Sequence, residues 1–223
     1  MSGKTTELTN LHPDIARFQN ELLNRYTADN QIAKKGQIVF VGSSSMEIFP
    51  IDRMQQNLHL DKVIYNRGVR ATTTADLLNH MGTLIFDLEP DKIFINIGSN
   101  DIGFNVPDAV FLANYDKILH KIKERLPATV VYVMAYYPIN TVDDFGEGKE
   151  EHNRLYAHRS NALLETANAN VEQLAQKYGY PFINVNAGLA DTEGNLKKEL
   201  TFDGAHLLPA AYEIVLENMK KYL

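Results

Sequence analysis

Five short runs of Ile, Val, Phe and Tyr, separated by segments long enough for helices, restrict the folds open to this chain. The runs are Gln37–Val41, Lys62–Tyr65, Lys92–Ile97, Thr129–Met134 and Pro181–Val185. Each is apolar almost throughout rather than at alternate positions, the pattern of a strand covered by helices on both faces. The intervening segments carry helical spacing. Asp14–Tyr26 puts Ile15, Phe18, Leu22 and Tyr26 on one face. Pro107 suits the first turn of a helix to about Arg125, with Val110, Phe111, Tyr115, Ile118, Leu119 and Ile122 as its inner stripe. Asn153–Tyr178 reads as one long helix stopped by Gly179 and Pro181, and Pro209–Tyr222 as the last helix. Strand, crossover helix, strand, repeated with right-handed crossovers, gives an α/β chain: a three-layer α/β/α sandwich on a five-stranded parallel sheet.

Size and charge narrow the function. At roughly 150 residues per domain, 223 residues suit one domain, and no repeat or Pro/Gly linker divides them, so 1–223 is expected to be a single unit. The net charge of −6 and pI near 5.6 argue against nucleic acid and against stable association with anionic membranes. The absence of cysteine removes disulfides, thiolate metal sites and cysteine nucleophiles together. The polar opening Met1–Glu7 lacks the apolar run of a signal peptide, and no stretch approaches the roughly 18 apolar residues of a spanning helix. A cytoplasmic address is expected.

In an open parallel sheet, ligands bind beyond the carboxyl ends of the strands. Four polar segments stand there: Gly42-Ser43-Ser44-Ser45, Asn66-Arg67-Gly68, Gly98-Ser99-Asn100-Asp101 and Asp203-Gly204-Ala205-His206-Leu207. Singly, each has a plain structural reading as a helix cap, a tight turn, an Asx turn or a surface histidine. Together they would lie along one sheet edge and supply the parts of acyl transfer. A serine hydroxyl needs an imidazole to take its proton, and the imidazole needs a carboxylate on its other nitrogen. Asp203 and His206 share one Gly-containing loop. The backbone N–H of the serine, the N–H of Gly68 and the amide of Asn100 could face a developing oxyanion.

These four segments, in this order and spanning residues 42–207, resemble the signature blocks of the SGNH hydrolases, the GDSL-like lipases/acylhydrolases, in the branch similar to platelet-activating-factor acetylhydrolase subunits. The resemblance implies a flavodoxin-like sandwich and a serine esterase acting on small-molecule esters with no metal or organic cofactor. It assigns Ser44 as nucleophile, with Ser43 and Ser45 as rivals in register, His206 as base, Asp203 as its orienting carboxylate, and Ser44, Gly68 and Asn100 as the oxyanion site. Two departures stand out: Ser43 replaces the usual Asp of the first block, and Ala210-Ala211 replace a common Gly near the last.

Rival readings explain less. A flavodoxin-like module binding FMN or another phosphate at Ser43–Ser45 leaves the Asp203/His206 pair idle. An acyltransferase would use the same machinery with an alcohol acceptor. No P-loop, Gly-x-Ser-x-Gly elbow or zinc motif is present. Arg67 and Arg70 are candidates for an anionic substrate group or for surface ion pairs, and Tyr136 and Tyr137 for the acyl pocket. The loop 135–152 is a candidate lid or a solvated acidic loop. A histidine base predicts that kcat/KM rises with pH through roughly 6–7 as the free imidazole appears. A flat profile from pH 5 to 8 in a p-nitrophenyl acetate assay counts against it.

Overall fold

The structure, a computed structural model, describes residues 11–146 and 156–223. The polar opening Met1–Glu7, residues 147–152 of the expected lid and the expected helix start at Asn153 lie outside the described residues. Strands β1 (Ile38–Gly42), β2 (Ile64–Gly68), β3 (Lys92–Asn96), β4 (Val130–Met134) and β5 (Phe182–Ile183) form one sheet in the order β2-β1-β3-β4-β5. Every pairing is parallel. The helices are α1 (Pro13–Asn30), α2 (Ser44–Glu47), α3 (Ile51–Met54), α4 (Thr74–Leu84), α5 (Ser99–Gly103), α6 (Asp108–Arg125), α7 (Asn161–Tyr178) and α8 (Pro209–Met219). The α/β three-layer sandwich is the one the apolar runs imply.

Both faces of the strands are buried, which is why the runs do not alternate. Val39, Val41, Ile93 and Ile95 join Leu22, Leu77, Ile118 and Val171 in one cluster, beneath α1, α4, α6 and α7. Ile38, Phe40 and Phe94 join Met46, Ile51 and Val215 in the other, beneath α2, α3 and α8. Among the described residues no helix is long and apolar enough to cross a membrane.

Several boundaries differ from the sequence reading. The helix expected from Asn153 begins at Asn161, because Ser160 caps it by accepting a hydrogen bond from the Leu163 N–H. Val110 is 42% exposed, about 100° around α6 from Phe111, and does not belong to the inner stripe. Ala135, Tyr136, Tyr137, Ile139 and Asn140 are buried rather than forming a solvated loop. Asn168 and Asn161 accept from the N–H groups of Tyr136 and Ile139, so side chains replace the missing sheet ladder.

Strand β2 lies two or three residues later than its apolar run suggests, because Asn66 and Arg67 belong to it. Arg67 is 5% exposed and is neither a surface ion pair nor placed for substrate. Its Nε and Nη2 donate to Asn30 Oδ1, its Nη1 donates to the Asn66 carbonyl, and the guanidinium lies 4.6 Å from the Tyr26 ring centroid. Gln55 accepts from the Ile64 N–H and donates to the Ile64 carbonyl. Tyr26 donates to the Gly68 carbonyl. Side chains therefore occupy the open edge of the sheet.

Asp101 ties the loop after β3 to the start of α4. Its Oδ2 accepts from the Thr74 N–H at 2.9 Å and its Oδ1 from the Thr74 hydroxyl at 2.6 Å. Burial pushes its carboxyl up to about 6, and the Thr74 hydrogen bonds offset that only in part. A carboxyl whose native pKa exceeds its unfolded value binds the proton better when folded, so stability falls as pH rises between those values. Asp101→Asn is therefore expected to gain stability relative to wild type between pH 4 and 7, by on the order of 2–3 kcal/mol. Urea unfolding of both proteins across that range checks this; a constant difference between them contradicts it.

Candidate active site

Strand β1 turns into α2 within one residue. Ser43 keeps an extended backbone while its carbonyl accepts from the N–H groups of Met46 and Glu47. Ser44 thus opens the helical turn, where its N–H has no intrahelical acceptor. Its Oγ lies 2.9 Å from His206 Nε2. Ser43 is buried with its hydroxyl unpartnered, and Ser45 contributes its carbonyl to the Tyr212 hydroxyl. Of the three serines, Ser44 is the one that meets the imidazole.

The loop before α8 is braced from several sides. Thr201 Oγ1 accepts from the Gly204 N–H and donates to the His206 carbonyl. The Asn140 N–H donates to the Gly204 carbonyl, and the Tyr156 hydroxyl to the Asp203 carbonyl. Asp203 Oδ1 accepts from the N–H groups of Ala205 and His206, leaving Oδ2 at 2.5 Å from His206 Nδ1. Burial pushes the Asp203 carboxyl up. The hydrogen bond and charge of His206, with the two backbone donors, outweigh it and leave the carboxyl below its ordinary value. The ring of Phe202 lies nearly parallel to the imidazole, at 5.6 Å between centroids.

Asn100 is 7% exposed. Its Nδ2 donates to the Thr72 carbonyl and its Oδ1 accepts from Arg159 Nη2, each at 2.9 Å. Among the described residues Nδ2 makes no second hydrogen bond, and Asn100 shares cavity walls with Ser44 and His206.

Gly68 does not join them. Its N–H donates to Asn66 Oδ1 at 2.9 Å, so it is not free for an oxyanion. A Cβ there would stand 2.1 Å from the Glu47 backbone nitrogen, so glycine serves close packing between β2 and α2. Ala71 stands at the site instead. It lines the same groove as Ser44, Asn100 and His206, its backbone is left-handed at φ +57°, and its N–H makes no hydrogen bond among the described residues.

A family model for GDSL-like lipase/acylhydrolase proteins matches residues 49–214. The chain belongs to this family. The match begins after Ser44, so the position of that serine rests on the hydrogen-bond geometry. A solved structure from Streptococcus pneumoniae, provisionally described as a platelet activating factor, is 31% identical with a TM-score of 0.82, covering 93% of this chain and 94% of that one. A Bacteroides fragilis structure provisionally described as an acylhydrolase is 19% identical, with a TM-score of 0.72 and coverage of 90% and 94%. An acetylxylan esterase from Geobacillus stearothermophilus is 17% identical, with a TM-score of 0.60 and coverage of 85% and 94%. A search of curated proteins finds no match.

As a GDSL-like acylhydrolase, the protein is a serine ester hydrolase. Two cavities open on Ser44 and His206. One, of about 40 Å³, is enclosed by Asn96, Ser99, Tyr136, Tyr137, Ile139 and Leu164. The other, of about 440 Å³, is an open groove bounded by Ile15, Ile48, Arg70, Phe104 and Phe202. Tyr136 and Tyr137 therefore line the smaller cavity. Arg70 borders the groove but is held by Glu47 at 2.5 Å and lies over the Phe18 ring. Among the described residues no group of three or more His, Asp or Glu is arranged to hold a metal.

Sequence reasoning missed Ala71 and Arg159. Alanine carries no turn signal, and Arg159 was hidden inside a helix read as continuous; Ser160 as a cap was the available clue. A left-handed alanine costs roughly 1–2 kcal/mol, part of which glycine recovers after its larger unfolded-state entropy is counted. Ala71→Gly is expected to raise Tm by about 2 °C. A fall in Tm on thermal melting argues against the strain.

Proposed function

We propose that this acylhydrolase cleaves carboxylic esters through an acyl-enzyme on Ser44. The observation that carries the reading is the continuous chain from Asp203 through His206 to Ser44. Ser44 Oγ attacks the ester carbonyl while His206 Nε2 takes its proton, and Asp203 holds the ring and stabilises the imidazolium. The N–H groups of Ser44 and Ala71 and the free Nδ2 hydrogen of Asn100 receive the oxyanion, Ala71 taking the part that the sequence assigned to Gly68. His206 then gives the proton to the departing alkoxide. A water replaces the alcohol, His206 takes one of its protons, and the hydroxide adds to the acyl carbonyl; collapse of that adduct releases the acid as His206 returns the proton to Ser44 Oγ.

The two cavities support a division of the substrate. The enclosed one has room for a few water-sized groups, enough for an acetyl or propionyl chain. The open groove, walled by Ile15, Ile48, Phe104 and Phe202, accepts the alcohol. The FMN reading is weaker, since of the Ser43–Ser45 hydroxyls it would use, that of Ser44 is held by His206 and that of Ser43 is buried.

Ser44→Ala is expected to abolish fluorophosphonate labelling and to lower p-nitrophenyl acetate turnover by at least about 10³-fold. Along a series of p-nitrophenyl esters, kcat/KM should fall at least about tenfold from acetate to octanoate, the extra methylenes finding no room. Label on a peptide lacking Ser44 overturns the nucleophile; a preference for octanoate or palmitate overturns the acyl pocket.

A further inference from the structure

We infer that Arg159 is a positioning residue, which orients and polarises the Asn100 amide so that its free N–H meets the oxyanion. The inference rests on the acyl-enzyme reading above. A carboxamide has two nearly isosteric ends, and only the NH2 end stabilises an oxyanion; the carbonyl end repels it. Asn100 is pinned at both. Its Nδ2 reaches the Thr72 carbonyl, and its Oδ1 receives Nη2 of Arg159 at 2.9 Å. A flipped amide would set its NH2 against the guanidinium and its oxygen against the Thr72 carbonyl, losing both bonds. A cation bonded to Oδ1 also draws electron density from the amide, so the remaining N–H becomes a stronger donor.

Arg159 is placed for this contact rather than for an ion pair. Among the described residues no carboxylate lies within salt-bridge distance of it, and its Nε is buried without a hydrogen-bond partner. Burial lowers the Arg159 pKa, Asp203 acts on it only through space, and no described carboxylate bonds to it; an arginine so placed is costly, which points to a purpose other than stability. Gly103, at the end of α5, makes the room: a Cβ there would stand 2.0 Å from Nε and 2.3 Å from Nη2. Ser160 and Asn161 fix the other side, the first by capping α7 and the second by bonding Ile139 in both directions. The guanidinium thus sits between α5 and α7 with one nitrogen given to Asn100.

The test is steady-state kinetics on p-nitrophenyl acetate with Tm measured for each variant. Arg159→Ala should lower kcat on the order of tenfold with KM within about twofold, because the lost contact acts in the transition state. Asn100→Ala should lower kcat by roughly 10²–10³. The double variant should be no slower than Asn100→Ala alone. Arg159→Lys should recover part of the loss. Gly103→Ala, which displaces the guanidinium without removing it, should reproduce the Arg159→Ala effect and add nothing to it in combination, and it decides the matter where Arg159→Ala fails to fold. Additive losses in Arg159→Ala/Asn100→Ala overturn the inference. So does a raised KM at unchanged kcat, which would make Arg159 a substrate anchor. If Ser44→Ala hydrolyses as well as wild type, the acyl-enzyme reading itself fails; if only the Arg159 and Gly103 variants behave as wild type, the inference fails alone.

Discussion

The hydrogen bond between His206 Nε2 and Ser44 Oγ joins residues 162 positions apart in the chain. Neither partner can adjust far to reach the other. Ser44 is set by the abrupt passage from β1 into α2, and His206 by a loop whose carbonyls accept from the Thr201 hydroxyl, the Asn140 N–H and the Tyr156 hydroxyl. The sheet that lies between them fixes the distance. Its two apolar faces are therefore as much part of the chemistry as the polar groups: a shift of the β1–β3 register would carry Ser44 and Asn100 past each other. A parallel sheet buried on both sides holds that register firmly, because a one-residue slip exchanges every side chain between the two clusters.

The polar residues around the site form two shells of different character. Among the described residues the inner one ends in groups left free, such as the Ala71 N–H and one Asn100 hydrogen, the donors proposed for the oxyanion. In the outer one many groups are committed: Thr72 to Asn100, Thr74 to Asp101, Asn161 to Ile139, and the Asn186 Nδ2 to Tyr136. A donor that must stabilise transient charge works best when it has nothing else to bond and cannot move. The neighbours spend their own hydrogen bonds on holding it still.

Legibility in the sequence follows the same division. The apolar runs gave the sheet, because burial on two faces leaves a composition that few other environments share. Ser44 and Asn100 stand just past strand ends and Asp203 and His206 in the loop before the last helix, and it is the four segments taken together that carry the family resemblance. Gly68 fits both a turn and a donor site when read as a glycine after a strand; that its N–H is taken by Asn66 Oδ1, and that α2 packs against it at Glu47, shows only in three dimensions. Ala71 was invisible because its role belongs to its backbone. Arg159 depended on where one helix begins, and element ends are set by caps that propensity reads poorly.

The side chains along β2 have one more consequence. An open sheet ends in backbone groups that invite another strand, and a concentrated solution of such sheets tends toward edge-to-edge growth. Here Gln55 takes both groups of Ile64, Arg67 takes the Asn66 carbonyl, Asn66 takes the Gly68 N–H and Tyr26 takes its carbonyl. A foreign strand arriving at that margin would have to evict five internal hydrogen bonds, one of them buried and four partly buried, before making its own. The polar residues that blur β2 in the sequence are thus what shields the fold from aggregation through its longer free edge, the opposite edge being a strand of two residues.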